Sequence, residues 1–455
     1  MKILLTTHQF LPEFSSGTEV LTFETAKVLQ RLGHEVLVFT GYPAADDIKD
    51  SERFDSYCHD GVPVTRFHHA RVSMGGQGNI VEAEYNNLLF ASYFRKFLKE
   101  LQPDLVHFFH LQRLSASAID VCHDLDIPMV MTPTDFWLVC PMNQLRMLDN
   151  SLCTGPDASS INCLKHIVAL TQSGMIATLV GMCPTRLLGL AVGAMCRGDK
   201  PDSGSLSLVR ALTERPAFLK ARMNKLDKVM APTHLMEKIL QDNGLRQEKM
   251  FFLPFGINLQ YLESAPKGER SEVLRVGFIG TLAEHKGAHV LIEAMRLLSL
   301  EKKLDVRLYG KLEDFPNYVE RLKDAVGADC RVHFYGTFPN QLIGEVFSDL
   351  DVLVVPSIWY ENTPLVIYSA QAAGCPVIAS NLGGMAEVIQ HENNGLLFET
   401  GDASDLAAKL KWLIDAPDVL ERLTGNAKKP KSVTEYATEL VGIYHEVIKE
   451  RQKAI

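Results

Sequence analysis

Residues 2–40 read KILLTTHQFLPEFSSGTEVLTFETAKVLQRLGHEVLVFT, and their rhythm decides the fold. Residues 2–6 are a short apolar run of strand length. Residues 18–32 place apolar side chains at helical spacing and stop at Gly33, and residues 35–40 form a second apolar run. A buried strand, a helix and a buried strand in that order make a β-α-β opening. The alternation continues outward through a strand at 62–67, a helix near 82–101, a strand at 104–109, a helix after Arg113 and a strand at 128–132. Strands that are apolar throughout and separated by helices predict a parallel sheet in an α/β fold.

After Thr134 the rhythm breaks into a Cys-containing loop and a helical segment that ends near Leu226, then returns with a strand at 228–231 and a helix at 234–243. A second series begins near Glu272. Strands at 273–279, 305–309, 331–335, 351–355 and 376–379 alternate with helices at 288–300, 317–326, 341–347 and 364–373, and further helices follow Ser404. Two doubly wound domains are the prediction, and 455 residues, at about 150 per domain, agree with more than one core. The expected joint is Pro254 to Asn258 with the polar stretch to Arg270, where Gly and Pro punctuate the chain.

Composition narrows the function. Hydrophobic residues at 46% and charged residues at 22% are globular values. Lys+Arg 46 against Asp+Glu 55 gives −9, which argues against a protein that grips bulk nucleic acid by neutralising phosphates. The apolar run in MKILLTTHQF is too short for a secretory signal core. Nine cysteines, an odd number, stand at 58, 122, 140, 153, 163, 183, 196, 330 and 375. Free thiols in a reducing cytoplasm are the expectation. Residues 167–195 are rich in Ala, Gly, Leu, Val and Met but hold no clean 18-residue apolar run. They predict either a buried helical pair or an interfacial contact with a membrane.

In open α/β sheets ligands sit beyond the carboxyl ends of the strands, where helix N-termini offer N–H groups to phosphate. The first such place is Gly280 to Gly287, with Lys286 beside a helix entrance and able to hold an anionic leaving group. The second is Pro356 to Pro364, with Thr363 as a helix cap, Pro364 in the first turn and Glu361 on the loop ahead of it. Dinucleotide and P-loop signatures are missing: no Gly-x-Gly-x-x-Gly opens a helix, and His285-Lys286 lacks the P-loop glycine. The pairs Asp124/Asp126 and Asp349/Asp351 precede their strands, so no catalytic metal is expected there. Cys140, Cys153, Cys163 and His166 supply the donor types of a tetrahedral structural zinc, the alternative being unligated thiols. His107 and His110 end a strand and are candidates for a cleft or for packing.

Taken in order, these motifs resemble the retaining glycosyltransferases of the GT-B fold, glycosyltransferase family 4 type with a group 1 domain. The first half carries Gly17-Thr18-Glu19, Leu32-Gly33-His34-Glu35-Val36 and Pro103-Asp104-Leu105-Val106-His107. The linker Leu253-Pro254-Phe255-Gly256-Ile257-Asn258 is similar too. The second half carries residues 280–287, Pro356-Ser357, residues 361–374 and Gly383-Gly384-Met385-Ala386-Glu387. The resemblance implies an α/β GT-B architecture of two doubly wound Rossmann-like domains facing a central cleft, with a helical insertion in the first. Residues 1–256 are then the acceptor-side domain with its insertion at 135–226. Residues 257–430 are the nucleotide-sugar donor domain, and 431–455 a C-terminal helix crossing back to the first.

The resemblance further implies roles. Lys286 neutralises a diphosphate, the backbone at Leu365 and Val366 meets phosphate, Glu361 holds hydroxyls of the donor sugar, and Gly17 admits the diphosphate to the first domain's loop. Gly280, Thr281, Pro364 and Ser369 complete the donor set, and Glu19, His107, His110, Thr134 and Asp135 are the acceptor candidates. Three positions depart from the pattern. Ser369 replaces a glutamate that grips ribose, Thr281 stands where Arg is common beside the diphosphate, and Thr134 replaces a His before Asp135. Each lost charge-assisted contact costs ~1.5 to 3 kcal/mol.

The implied activity is transfer of a sugar from a nucleotide diphosphate sugar to a glycan or lipid-linked acceptor, with retention of anomeric configuration and no required cofactor. The expected setting is polysaccharide biosynthesis in the cytoplasm or on its membrane face. The alternatives are a non-catalytic nucleotide- or glycan-binding partner protein and a nucleotide-sugar epimerase. The oligomeric state is left open.

Overall fold

Most strands of the two sheets are short aliphatic runs that lose water from both faces, which is the reason they end up central and parallel. The computed structural model describes the chain except for residues 45–47, 150, 173, 196–203, 264–271, 300–302, 363 and 455. It divides into two units, Met1–Pro254 with Thr434–Ile455, and Phe255–Val433.

The first unit is built on an eight-stranded sheet: β1 (Lys2–Thr7), β2 (Glu35–Pro43), β3 (Phe54–His59), β4 (Val62–His69), β5 (Leu105–Phe108), β6 (Met129–Met131), β7 (Lys228–Ala231) and β8 (Met250–Phe252). The order is β3-β4-β2-β1-β5-β6-β7-β8. All neighbours are parallel except β3 and β4, a hairpin. Its turn is Asp60-Gly61, both with positive φ, the two-residue turn whose twist suits a hairpin. Sequence reading passed over β3 and β8.

The expected helix at 82–101 is two helices, Ile80–Tyr85 and Leu88–Leu101. Asn87 breaks it: its Oδ1 accepts from Phe90 N at 2.9 Å and caps the second helix. The sheet's C-terminal ends receive the helix Gly17–Arg31 after β1.

The insertion holds helices Ile161–Thr171, Met175–Met182, Thr185–Met195 and Ser205–Met223. Ile161, Leu164, Val192 and Leu212 form a small core of their own. A buried helical pair is not what forms here, because that core is too small to cover both short helices. Met175, Leu179, Met182, Leu187, Leu190 and Met195 stay exposed.

The helix Val433–Ala454 belongs almost entirely to the first unit and buries Tyr436, Leu440, Tyr444 and Val447. Arg451 pairs with Asp126 and Asp227.

The second unit has six parallel strands, β9 (Leu274–Ile279), β10 (Leu304–Tyr309), β11 (Val332–Gly336), β12 (Val352–Val355), β13 (Val377–Ser380) and β14 (Gly395–Phe398). Their order, β11-β10-β9-β12-β13-β14, reverses between β9 and β12. That reversal is the topological switch point at which doubly wound sheets bind ligands.

Candidate active site

At the switch point, β9 ends at Ile279 and the chain runs through Gly280 to a short turn, Glu284–Lys286, before the helix Ala288–Leu297. The loop is drawn against its neighbours at two glycines. Any side chain at Gly287, whose φ is +74°, would collide with the Pro356 carbonyl oxygen, and one at Gly310 with the carbonyl oxygen of Gly280. Ile358 N donates to His285 O at 2.9 Å. The loop after β9 is thus held on the loop after β12.

That contact brings the two sequence candidates together. Glu361 Oε1 accepts three hydrogen bonds, from Lys286 Nζ at 2.7 Å, from Ser357 Oγ at 2.8 Å and from Trp359 Nε1 at 2.8 Å. Glu361 Oε2 accepts no hydrogen bond among the described residues. Burial would push the Glu361 carboxyl up, but the charge of Lys286 and the three hydrogen bonds outweigh it and hold the group below its ordinary range. The Lys286 ammonium also lies 5.1 Å from the Trp359 ring centre, and the backbone of Glu361 accepts from Gly384 N on the loop after β13.

Ahead of this pair stands the helix Leu365–Ala372, capped by Pro364 instead of containing it; Thr363 lies outside the described residues. Leu365 and Val366 form its first turn, where N–H groups lack intrahelical acceptors. Ser369 is buried one turn on, its hydroxyl donating to Leu365 O at 3.2 Å. Gly280 and Thr281 line the opposite loop and are half-buried.

The first unit holds a separate polar cluster beyond β1, β5 and β6. Glu19, in the first turn of Gly17–Arg31, is fully buried, and among the described residues neither carboxylate oxygen meets a donor in hydrogen-bond geometry; burial raises its carboxyl above the usual range, with Gln9 and nearby backbone N–H groups opposing it. Its Oε1 is 3.5 Å from His8 Nε2. The His8 ring lies 4.3 Å from that of His110, and His110 Nε2 is 2.8 Å from Asp135 Oδ2.

Gln112 N donates to His110 Nδ1 at 3.0 Å, which makes Nε2 the protonated nitrogen of the neutral ring, facing Asp135. His8 is held well below its ordinary pKa by burial, then by His110 and Arg113. Arg113 donates to His8 O and Gln9 Oε1. Thr134 donates to Phe109 O at 3.4 Å, and Gly17 opens the helix, exposed.

The structure therefore gathers Glu19, His110 and Asp135 and adds His8, Gln9 and Arg113, which sequence reading missed because they share no spacing. His107 is not among them. Its Nδ1 lies 2.6 Å from Tyr444 Oη and its Nε2 2.9 Å from Thr132 Oγ1, so it is a packing residue beneath the C-terminal helix.

Cys140, Cys153, Cys163 and His166 line one cavity, but among the described residues no group of three metal-ligating side chains stands close enough to hold an ion. Burial pushes the Cys163 thiol up to about 12. Of the two readings of these four side chains, unligated thiols and a structural zinc, the zinc finds no ligand geometry among the described residues. Asp124 pairs with Arg95 and Asp351 with Arg275, which accounts for both as structural carboxylates.

Two family models match the chain: Glycosyltransferase Family 4 over residues 15–173 and Glycosyl transferases group 1 over residues 262–430. An uncharacterized glycosyltransferase of Methanocaldococcus jannaschii is 30% identical over 198 residues, 42% of this chain and 50% of that protein. The chain spans about half the length of the curated relatives it matches.

In fold it is similar to the sucrose-phosphate synthase of Thermosynechococcus elongatus, with TM-score 0.68 at 18% identity over 99% of both chains. It is similar also to Anabaena HepE, solved with UDP and glucose, with TM-score 0.63 at 16% identity over 97% of this chain and 99% of that one.

Proposed function

Because the chain belongs to the glycosyltransferases that join a Family 4 domain to a group 1 domain, we propose that it transfers a sugar from a nucleotide diphosphate sugar to a hydroxyl of a glycan or lipid-linked acceptor, with retention. The observation that carries this is the Lys286–Glu361 pair at the switch point beside the first turn of the Leu365 helix.

In this reading the diphosphate takes Lys286 as its counter-charge and the N–H groups of Leu365 and Val366 as donors, an arrangement suited to charge that grows on a leaving phosphate. Glu361 stays ionised. Its Oε1 is committed to Ser357 and Trp359, and its Oε2 accepts a hydroxyl of the donor sugar. The bond between the anomeric carbon and the phosphate oxygen breaks as the acceptor oxygen bonds to the same face, and the acceptor proton passes to the departing phosphate. No protein nucleophile enters. Glu19, His110 and Asp135 then belong to the acceptor side. Anabaena HepE, similar in fold, was solved with UDP and glucose, which makes UDP-glucose the first donor to test.

Ser369 favours a second reading, a nucleotide-binding protein without transfer. Its short hydroxyl is turned back on Leu365 O, where a longer carboxylate reaches ribose. One experiment separates the two: melting-temperature shifts with UDP, GDP, ADP and their sugar conjugates, followed by assay of nucleoside diphosphate release. Ligand at a hundred times its dissociation constant adds ~2.7 kcal/mol, a shift easily seen. Binding with release supports transfer, binding without release supports the second reading, and no binding defeats both.

A further inference from the structure

The helices Met175–Met182 and Thr185–Met195 place large apolar side chains in water, with no element among the described residues covering them. Met175, Leu179, Met182, Leu187, Leu190 and Met195 are 60 to 79% exposed. Singly exposed leucines are ordinary, whereas a run of six on two consecutive helices marks a surface with a partner.

Three observations point to the partner's chemistry. From residue 158 to 198 the sequence contains no Asp or Glu, although the chain as a whole has an acidic residue roughly every eighth position. The same stretch carries Lys165, Arg186 and Arg197, so it is locally cationic in a chain of net charge −9.

Several of its polar groups are also satisfied by its own backbone. Thr171 Oγ1 donates to Ile167 O and Thr178 Oγ1 to Gly174 O. Lys165 Nζ donates to Gly181 O at 3.2 Å and Cys183 O at 2.6 Å, satisfying carbonyls at the end of the Met175–Met182 helix. Backbone and hydroxyl groups satisfied within the segment suit an apolar medium, where an unmade hydrogen bond is costly.

Length excludes a spanning helix. Helices of 8 and 11 residues reach about 12 and 16 Å at ~1.5 Å per residue, against the ~30 Å of a bilayer core.

We propose that residues 175–195 lie in the plane of an anionic bilayer surface, with Met175, Leu179, Met182, Leu187, Leu190 and Met195 among the upper acyl chains and Arg186 at the headgroup phosphates. The exposed Arg186 forms no ion pair among the described residues and is placed for that contact. The insertion docks the first unit on a membrane whatever reaction the protein performs, so the inference stands apart from the proposed transfer.

The test is cosedimentation of the full chain with vesicles of phosphatidylcholine alone and of phosphatidylcholine with phosphatidylglycerol. The wild type is expected to bind the anionic vesicles, and Leu179→Asp with Leu190→Asp to weaken that binding by about tenfold or more. Arg186→Glu is expected to lower binding to the anionic vesicles and leave the neutral ones unchanged. Leu190→Trp, which keeps the apolar face, should show a blue-shifted emission on adding anionic vesicles. UDP-dependent melting shifts of all variants should match the wild type.

A wild type that stays in the supernatant with anionic vesicles overturns the proposal, as does a double Asp variant that binds them equally well. A lipid-free dimer that the same double substitution converts to monomer overturns it too, by assigning the face to self-association.

Discussion

Glu361 is the residue at which a single charge alters most. It is buried and ionised, and three donors on different side chains hold one of its oxygens. Glu361→Gln keeps the shape and removes the charge, leaving Lys286 partly solvated. We expect nucleoside diphosphate release to fall by about a hundredfold, the size usual for one lost electrostatic contact in a transition state, with only a small drop in melting temperature. Lys286→Ala should lower donor affinity as well as turnover.

Because its folded pKa lies below its unfolded value, the stability that Glu361 contributes is present above the ordinary carboxylate range and lost only as pH falls through the folded pKa. His107 supplies a second test. Burial lowers it to about 3, so the unfolded chain binds more protons than the folded one between about pH 6.5 and 3. Stability is full above that window and declines as pH falls, by up to ~1.4 kcal/mol per pH unit from this residue. His107→Gln should flatten the slope of a denaturant-unfolding series over that range. Lys286 and Glu361 were legible because each stands just ahead of a helix entrance. His8, Gln9 and Arg113 were not, because a buried polar cluster assembled from several strand ends leaves no spacing in the chain.

Elements fix where those residues stand. Gly287, with its positive φ against the Pro356 carbonyl, lets the loop after β9 lie on the loop after β12. Gly287→Ala should separate them, costing at least about 1 to 3 kcal/mol from strain alone, and calorimetry with nucleotide titration should show weaker donor binding alongside a lower melting temperature.

The parallel strands were legible because aliphatic runs bounded by helices have few other readings. The edge strands β3 and β8 were not, since few of their side chains are buried, and β14 was missed because it is only four residues long although well buried. The Asp60-Gly61 turn was the one local sign of the β3–β4 hairpin. Residues 82–101 read as one helix because apolar spacing continues across Asn86 and Asn87. Only the cap made by Asn87 shows the break.

At the scale of the molecule, the α/β fold of two parallel-sheet units follows from two series of buried strands, each with its own helices. The helix Val433–Ala454 closes the first unit over Thr132 and His107 through Tyr436 and Tyr444. A chain ending at Val433 should therefore lose stability in the first unit, by several kcal/mol given the large buried side chains removed, while the unfolding of residues 255–433 is little changed. Differential scanning calorimetry with domain-specific fluorescence would report both.

The helical insertion was the least legible part, because its composition fits a buried pair and an interfacial surface alike, and only exposure separates them. Activation of a nucleotide diphosphate sugar by the second unit is proposed to rest on Lys286 and Glu361. It is tested most directly by nucleoside diphosphate release from a panel of UDP, GDP and ADP sugars, measured for the wild type, Lys286→Ala and Glu361→Gln. Release from at least one donor is expected of the wild type, with a loss of about a hundredfold in both variants at unchanged fold. Release by either variant at the wild-type rate, or no release by the wild type from any donor that binds, would contradict it.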